Sequence, residues 1–430
     1  MPPSDRRLPQ HMRSRESVDP GRSPRFPQAR DFPAPSHADR LESEHLQAGG
    51  YPRDTAGKST TSWDVNISHT ETLGAIRATK PRTGDADITR SYTALSRVVR
   101  ESGLLNRTRW FYLAVISILT LALGGATTGF ILLGDSWFQL LIAGALGLIF
   151  TQFAFLAHEA SHRQVLESGP NNDRVGRILA AGVVGISYSW WMTKHTRHHA
   201  NPNKVGKDPD IDFDTISFME KDAAKQRGLM ALITRKQGYL FFPLLTLEGI
   251  NLHYRSIGTL FERGPVKGRW IELSLIAARF TVYLGAIFWV LPLGMAFAFL
   301  GVQLAVFGVY MGAAFAPNHK GMPIIAEDVK LDFFSKQVLT SRNVSGGIWA
   351  SALLGGLNYQ VEHHLFPNMP RPHLAKAREI VREHCRTVDV PYTETTLMQS
   401  YGIVINYLNR VGLAARDPFD CPMVNQFRRV

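Results

Sequence analysis

The sequence predicts an all-α integral membrane protein: four transmembrane helices, further helices in the membrane interface, and a cytoplasmic helical cap carrying a metal site. Three observations predict it. Four strongly apolar runs, at about 110–133, 137–157, 271–292 and 294–316, are each long enough to cross a hydrocarbon core of roughly 30 Å. They pair as two hairpins, joined by the short hinges Gly134-Asp135-Ser136 and Leu291-Pro292-Leu293-Gly294, neither of which holds a Lys or Arg. Histidine clusters fall just after the second and fourth runs, so four crossings bring every cluster to one side of the bilayer.

The elements follow in order. The chain has 430 residues, a formal net charge of +12 and 45% hydrophobic content that is far from evenly spread. Residues 1–85 are rich in Pro, Ser, Arg and Asp without apolar periodicity, so they cannot bury enough surface to offset ordering entropy, and a disordered tail is expected. That stretch lacks the continuous apolar core of a secretory signal. A membrane domain is expected over 86–413, with a loose tail at 414–430. From Ala86 to Arg109, Leu95, Val98, Val99 and Leu104 oppose Arg97, Arg100 and Glu101, the pattern of an amphipathic helix at the bilayer surface. The second span runs directly into His158. Arg163, Arg174 and Arg177 follow it, and by the positive-inside rule they place this end in the cytoplasm.

Ile178 to Trp191 is apolar but too short to cross comfortably, and it reads as one interfacial helix delivering the second histidine cluster. Tyr239 to Ile250 is short, contains Pro243 and Glu248, is flanked by Arg235, Lys236 and Arg255, and also reads as interfacial. Were it to cross, the third histidine cluster would be stranded opposite the first two. Beyond that cluster, Leu374, Ala377, Ile380 and Val381 recur at helical spacing, and a second amphipathic stretch runs from Thr393 to Leu413. Both are expected to cap the cytoplasmic side. Two cysteines, Cys385 and Cys421, exclude a disulfide framework and make thiolate metal binding improbable. No nucleic-acid partner is expected.

The chemistry lies in the boxes His158-Glu159-Ala160-Ser161-His162, His195-Thr196-Arg197-His198-His199 and Gln360-Val361-Glu362-His363-His364. On a helix the i, i+3 and i+4 positions share a face, so each box aims ring nitrogens at one point. A lone HxxxH is a weak signal, whereas HxxHH and QxxHH together are not readily accidental. His158, His162, His195, His198, His199, His363 and His364, with His319 at the mouth of the fourth span, are too many for one tetrahedral zinc. They suit two metals with open positions. Nitrogen-rich sites accept iron, which can activate O₂ where zinc cannot change oxidation state.

The stretches HEASH, HTRHH and NYQVEHHLFP make the chain resemble the membrane-bound fatty acid desaturases over roughly Ala86 to Leu413. The QxxHH form is similar to the front-end and linoleoyl-CoA-type branch. The Asn-Pro-Asn after the second box and the Phe-Ala-Pro-Asn-His-Lys stretch are similar to actinobacterial acyl-CoA desaturases. The resemblance implies two iron ions, O₂ as co-substrate, and a fatty acyl-CoA or acyl lipid as substrate, drawn from membrane lipid. It implies two electrons from a separate donor and a new cis double bond. Many front-end relatives carry a fused haem domain with a His-Pro-Gly-Gly motif that is absent here, so a ferredoxin, flavoprotein reductase or cytochrome must serve. The resemblance also implies that Asn318 holds a metal-bound water, against plain helix capping. It implies that Trp191 lines the acyl path, against anchoring in the interface.

Gln360 stands where related desaturases carry His, and either ligates a metal or orients a ligand. Glu159 and Glu362 either hydrogen-bond a ligand N–H or face solvent. Arg197, Asn201 and Lys204 either contact a CoA phosphate or form a solvated basic loop. The run Asp208, Asp210, Asp212 and Asp214 reads as a solvated loop pairing with local bases, and Arg279, inside the third span, has no evident role. Two rival functions share these features. A histidine-box hydroxylase acting on alkanes, sterols or lipids would use the same boxes. A metal transporter would need ligating or ionisable residues at mid-depth, and apart from Arg279 the spans hold few.

Overall fold

The computed structural model describes residues 85–416, Phe213 excepted. The expected N-terminal tail, and the expected C-terminal tail beyond Arg416, lie outside the described residues.

The first amphipathic stretch is helix α1 (Asp85–Glu101), which buries Ile88, Leu95 and Val99. It does not face its apolar stripe to a bilayer as expected. That stripe packs with Val361, Leu365, Leu374 and Val381, because the third box and the helix after it offer a complementary apolar face.

Four helices are long and apolar enough to cross a membrane: α2 (Arg109–Leu133), α3 (Gln139–Ser161) and, later, two more at Arg269–Val290 and Leu293–His319. Each end agrees with a predicted span to within four residues. Exposed tryptophans stand at both ends of this bundle, Trp110 and Trp270 at one, Trp137 and Trp289 at the other, as amphipathic rings do at headgroup depth.

After α3 comes α4 (Gly169–Arg177), which continues into a π-helical turn at Ile178–Val184; α5 (Tyr188–Ala200) follows. The single interfacial helix expected over Ile178–Trp191 is therefore two elements. Gly185, at φ +96°, ends the first, and Ser187 caps the second by accepting from the Trp190 N–H at 3.2 Å. The C-terminal carbonyls of the π-helical turn point into the bundle, where the Arg279 Nε donates to Val183 O at 2.7 Å and His253 Nε2 lies 3.2 Å from Val184 O. Arg279 also stacks over Tyr283, 3.9 Å from the ring centre. It thus faces the bundle and caps a helix end, which lowers the cost of a guanidinium at that depth.

Three short helices, α6 (Glu220–Ala223), α7 (Gly228–Arg235) and α8 (Gln237–Leu245), lead to α9 (Glu248–Phe261). The third long helix is α10 (Arg269–Val290) and the fourth is α11 (Leu293–His319). A Cβ at Gly249 would come within 2.3 Å of Leu304 O, and one at Gly308 within 2.4 Å of the Gly249 nitrogen, so bare backbone on both sides lets α9 cross α11 closely. Gly147 allows the same for α3 against α11, where a Cβ would lie 2.9 Å from Gln303 O. These close contacts fix the two helices whose last residues are His158 to Ser161 and His319.

The cap comprises α12 (Phe333–Leu339), strand β1 (Asn343–Ser345), α13 (Gly347–Leu353), α14 (Gln360–Leu365), α15 (Arg371–Thr387), strand β2 (Glu394–Thr396) and α16 (Leu397–Leu413). The two strands pair in parallel, Asn343 against Glu394 through Ser345 against Thr396, a minor exception to an otherwise helical fold.

Candidate metal centre

Each box sits where a helix ends or turns. α3 delivers His158 in its last turn, and His162 follows as its C-terminal cap residue. α5 carries His195, His198 and His199 on one side, α11 ends on His319, and the two-turn α14 carries His363 and His364. Six of the eight are at least nine-tenths buried, while His162 and His199 are half-buried.

The nitrogens converge in two groups. His158, His162, His195, His199 and His363 form one, and His198, His319 and His364 the other; within each, the candidate ligand atoms lie within 4.8 Å of one another. His195 Nε2 is 3.0 Å from His158 Nε2 and 2.8 Å from His162 Nε2. His319 Nε2 is 3.3 Å from His198 Nε2 and 3.1 Å from His364 Nε2. Two nitrogens that each sit about 2.1 Å from one ion at a right angle are themselves about 3 Å apart, so this spacing suits shared coordination. The groups are neighbours, since the His199 and His364 rings stack at 4.2 Å.

Polar satisfaction argues the same way. Both ring nitrogens of His199, His363 Nε2 and Asn318 Oδ1 are buried without a hydrogen-bond partner among the described residues, a costly state unless something else binds them. Burial drives the imidazoles of His162, His195, His199 and His364 well below their usual range and His363 down to about 3. They are therefore neutral, with lone pairs free for a cation. His198 is the exception. Burial lowers it too, but the carboxylates of Asp210 and Asp208 outweigh that and raise it overall.

Partners fix the ring orientations of the second group. His198 Nδ1 donates to Asp208 at 3.0 Å, His319 Nδ1 to Thr340 O at 2.8 Å, and His364 Nδ1 to Gln337 Oε1 at 2.8 Å. With Nδ1 so engaged, each ring presents Nε2 to the centre. Gln360 and Asn318 belong here as well. The Gln360 amide lies 2.8 Å from His319 Nε2, and Asn318 Nδ2 is 3.3 Å from Gln360 Oε1.

Several expectations need correction. Asp208 is not a solvated loop residue: it is fully buried and accepts from His198, from the Asn203 N–H and from the Asp210 N–H. The spacing hid this because its neighbours do pair with bases, Asp210 with Lys194 at 2.9 Å and Asp214 with Arg255 at 2.5 Å. Glu159 neither holds a ligand nor faces solvent. It forms a buried ion pair with Arg371, Nε to Oε1 at 2.7 Å. Glu362, also buried, accepts from Asn343 at 2.7 Å and Tyr392 at 2.8 Å, tying the third box to the strand pair, and burial pushes it up to about 7. Trp191 stacks on His195, ring centres 4.7 Å apart, against Phe315, so it lines the centre instead of the lipid interface. Of Arg197, Asn201 and Lys204, Arg197 is exposed, Asn201 caps α5, and Lys204 gives one of its three ammonium hydrogens to Val329 O at 2.9 Å. Gln337 and Thr340 carry no signal in the sequence, and Asp208 carries only its place ten residues past His198.

Comparison with known proteins agrees with this geometry. Residues 135–396, more than half the chain, match the fatty acid desaturase family. The chain is 27% identical to a Delta(8)-fatty-acid desaturase of Helianthus annuus, over 77% of this chain and 75% of the relative. It is 26% identical to a Delta(6)-fatty-acid desaturase of Caenorhabditis elegans, over 75% and 74%. It is 30% identical to an acyl-lipid (9-3)-desaturase of Physcomitrium patens, over 63% and 53%. With four helices fit to cross a bilayer and the histidine clusters gathered beyond two of them, the chain belongs to the fatty acid desaturase family of integral membrane oxidoreductases.

Proposed function

We propose that this protein is an O₂-dependent fatty acyl desaturase that holds two iron ions and introduces a cis double bond into a long chain carried on CoA or a lipid. The observation that carries the reading is the convergence of eight imidazoles, from three boxes and His319, with buried nitrogens left unpartnered. The five-histidine group would hold one ion and His198, His319 and His364 the other, with Gln360 and Asn318 beside the poorer set. Iron bound there supplies, with O₂ and two electrons from a separate ferredoxin, flavoprotein or cytochrome, the oxidising power to take two hydrogens from adjacent methylenes.

The chain's own residues do the rest. Asp208, Gln337 and the Thr340 carbonyl hold three rings in one tautomer and orientation. Trp191 and Phe315 wall the five-histidine group with apolar surface, which excludes water and suits a hydrocarbon substrate. The centre sits at the cytoplasmic face: Arg163, Arg174 and Arg177 follow α3, while the Gly134–Ser136 hinge at the other end carries no Lys or Arg. Arg197 and Lys204 near the rim are the candidates for a carrier phosphate.

The test is expression in a host of defined lipid profile, with new double bonds located by mass spectrometry and iron counted per chain. Two irons and a new double bond lost in His198→Ala are expected. One ion per chain, or full activity in that variant, would overturn the reading. Incorporation of ¹⁸O from ¹⁸O₂ into the lipid product would indicate a hydroxylase instead.

A further inference from the structure

Between β1 and the third box, residues 346–356 run Gly-Gly-Ile-Trp-Ala-Ser-Ala-Leu-Leu-Gly-Gly, a short apolar helix between two glycine pairs. All four glycines have positive φ, from +60° to +151°, so the chain reverses sharply at each end of α13. The far end of α13 is held by two side chains from the long helices. Gln152 on α3 donates to Ala352 O at 3.1 Å, and Tyr310 on α11 donates to Leu353 O at 2.5 Å.

Those two anchors fix its depth. About 20 residues of helix cover the hydrocarbon thickness of roughly 30 Å. Counted from the opposite ends of α3 and α11, Gln152 lies about 10 Å inside the near boundary and Tyr310 about a turn inside it. The face that α13 turns outward is apolar: Ile348 is 91% exposed and Trp349 59%. Met398, at the start of α16, is 76% exposed, and α16 leaves the parallel strand pair from the same end as α13. In water such a face would be costly, and at this depth its natural neighbour is hydrocarbon. The return limb then leads directly into Gln360, His363 and His364.

We infer that residues 346–356 form a re-entrant segment that dips into the leaflet next to the metal centre and lays Ile348 and Trp349 against lipid acyl chains. It is a lipid-contact surface continuous with the third box, and it rests on the reading of α3 and α11 as membrane spans. The third box is thereby tied to the bilayer on one side and to Asn343 of β1 on the other.

The experiment places a bimane label at Ile348→Cys in Cys421→Ala protein, reconstituted in vesicles of phosphatidylcholine with and without acyl-chain bromination. Cys385, 1% exposed, stays in place. Leu148→Cys, on the exposed face of α3, and Arg382→Cys, exposed on α15, are the lipid and aqueous controls. The label at 348 is expected to be quenched by brominated lipid at least about half as strongly as at 148, and to resist iodide as the 148 label does. Trp349→Phe should remove a brominated-lipid-quenched component from the intrinsic fluorescence. Iodide quenching at 348 equal to that at 382, with 148 still quenched by lipid, would overturn the inference alone. Loss of lipid quenching at 148 would overturn the membrane reading beneath it.

Discussion

The Nδ1 of His198 lies 3.0 Å from a carboxylate oxygen of Asp208, a residue with no solvent exposure. Three donors meet on this one side chain, and no Lys or Arg among the described residues forms an ion pair with it, so its charge is available to strengthen His198 as a ligand. Asp208→Ala is expected to lower metal affinity at the three-histidine group and desaturation by about 10–100-fold, and Asp208→Asn to retain part of both. Lys207→Ala, on the exposed neighbour, should change neither. Iron titration of the purified variants measures this, and unchanged occupancy in Asp208→Ala would remove the assigned role.

A second prediction concerns the Gln360 amide, 2.8 Å from His319 Nε2. Its oxygen and nitrogen are interchangeable by rotation, and the rotated amide turns an acceptor toward the centre. Gln360→Leu keeps the bulk and removes the polar group, and should lose iron from the three-histidine group before the five-histidine group. Gln360→His supplies an imidazole and should hold iron at least as well as the parent. Equal iron content in all three proteins would show that the amide plays no part.

Much of this was legible from the chain because membrane thickness and histidine spacing are strong constraints. Four runs of the right length, two hinges without Lys or Arg and three boxes gave the spans and brought His158, His195 and His363 to one side. What stayed hidden depends on long-range packing. Gln337 and Thr340 reach the rings of His364 and His319 only after α12 folds over them, and polar residues at those positions look like surface helix. The amphipathic stripe of α1 predicts burial without saying against what, and the cap outcompeted the bilayer for it. The Gly-bounded helix α13 is too short to register as a membrane element.

The ion pair of Arg371 with Glu159 gives a third prediction. Its side chains are 7% and 2% exposed, and Tyr112 adds a hydroxyl to the same carboxylate at 3.4 Å. Arg371→Met leaves a buried carboxylate unpaired beside His158, which should cost about 3–5 kcal/mol. Glu159→Gln with Arg371→Met removes both charges and should recover most of that loss. Thermal unfolding of the two single variants and the double variant in detergent measures the coupling. Simple additivity would show that the pair is not coupled.

Acidification gives the fourth. Burial holds the imidazoles of His162, His195, His199, His363 and His364 below their ordinary value near 6.5, and only His198 among the six outside the long helices is raised. Below that pH the unfolded chain binds protons that the folded chain refuses, so folding stability falls as pH drops, by up to about 1.4 kcal/mol per pH unit for each such histidine. His198 and the Glu362 carboxyl, which burial pushes up to about 7, work in the opposite sense, two groups against five. Iron-stripped protein should therefore melt at progressively lower temperature from pH 7 to pH 5. The iron-loaded protein should resist until protons compete for the same nitrogens, and then lose its metal and its stability together. A melting temperature of the stripped protein that stays level or rises over that interval would mean that these rings are already protonated, and that they are not poised as ligands.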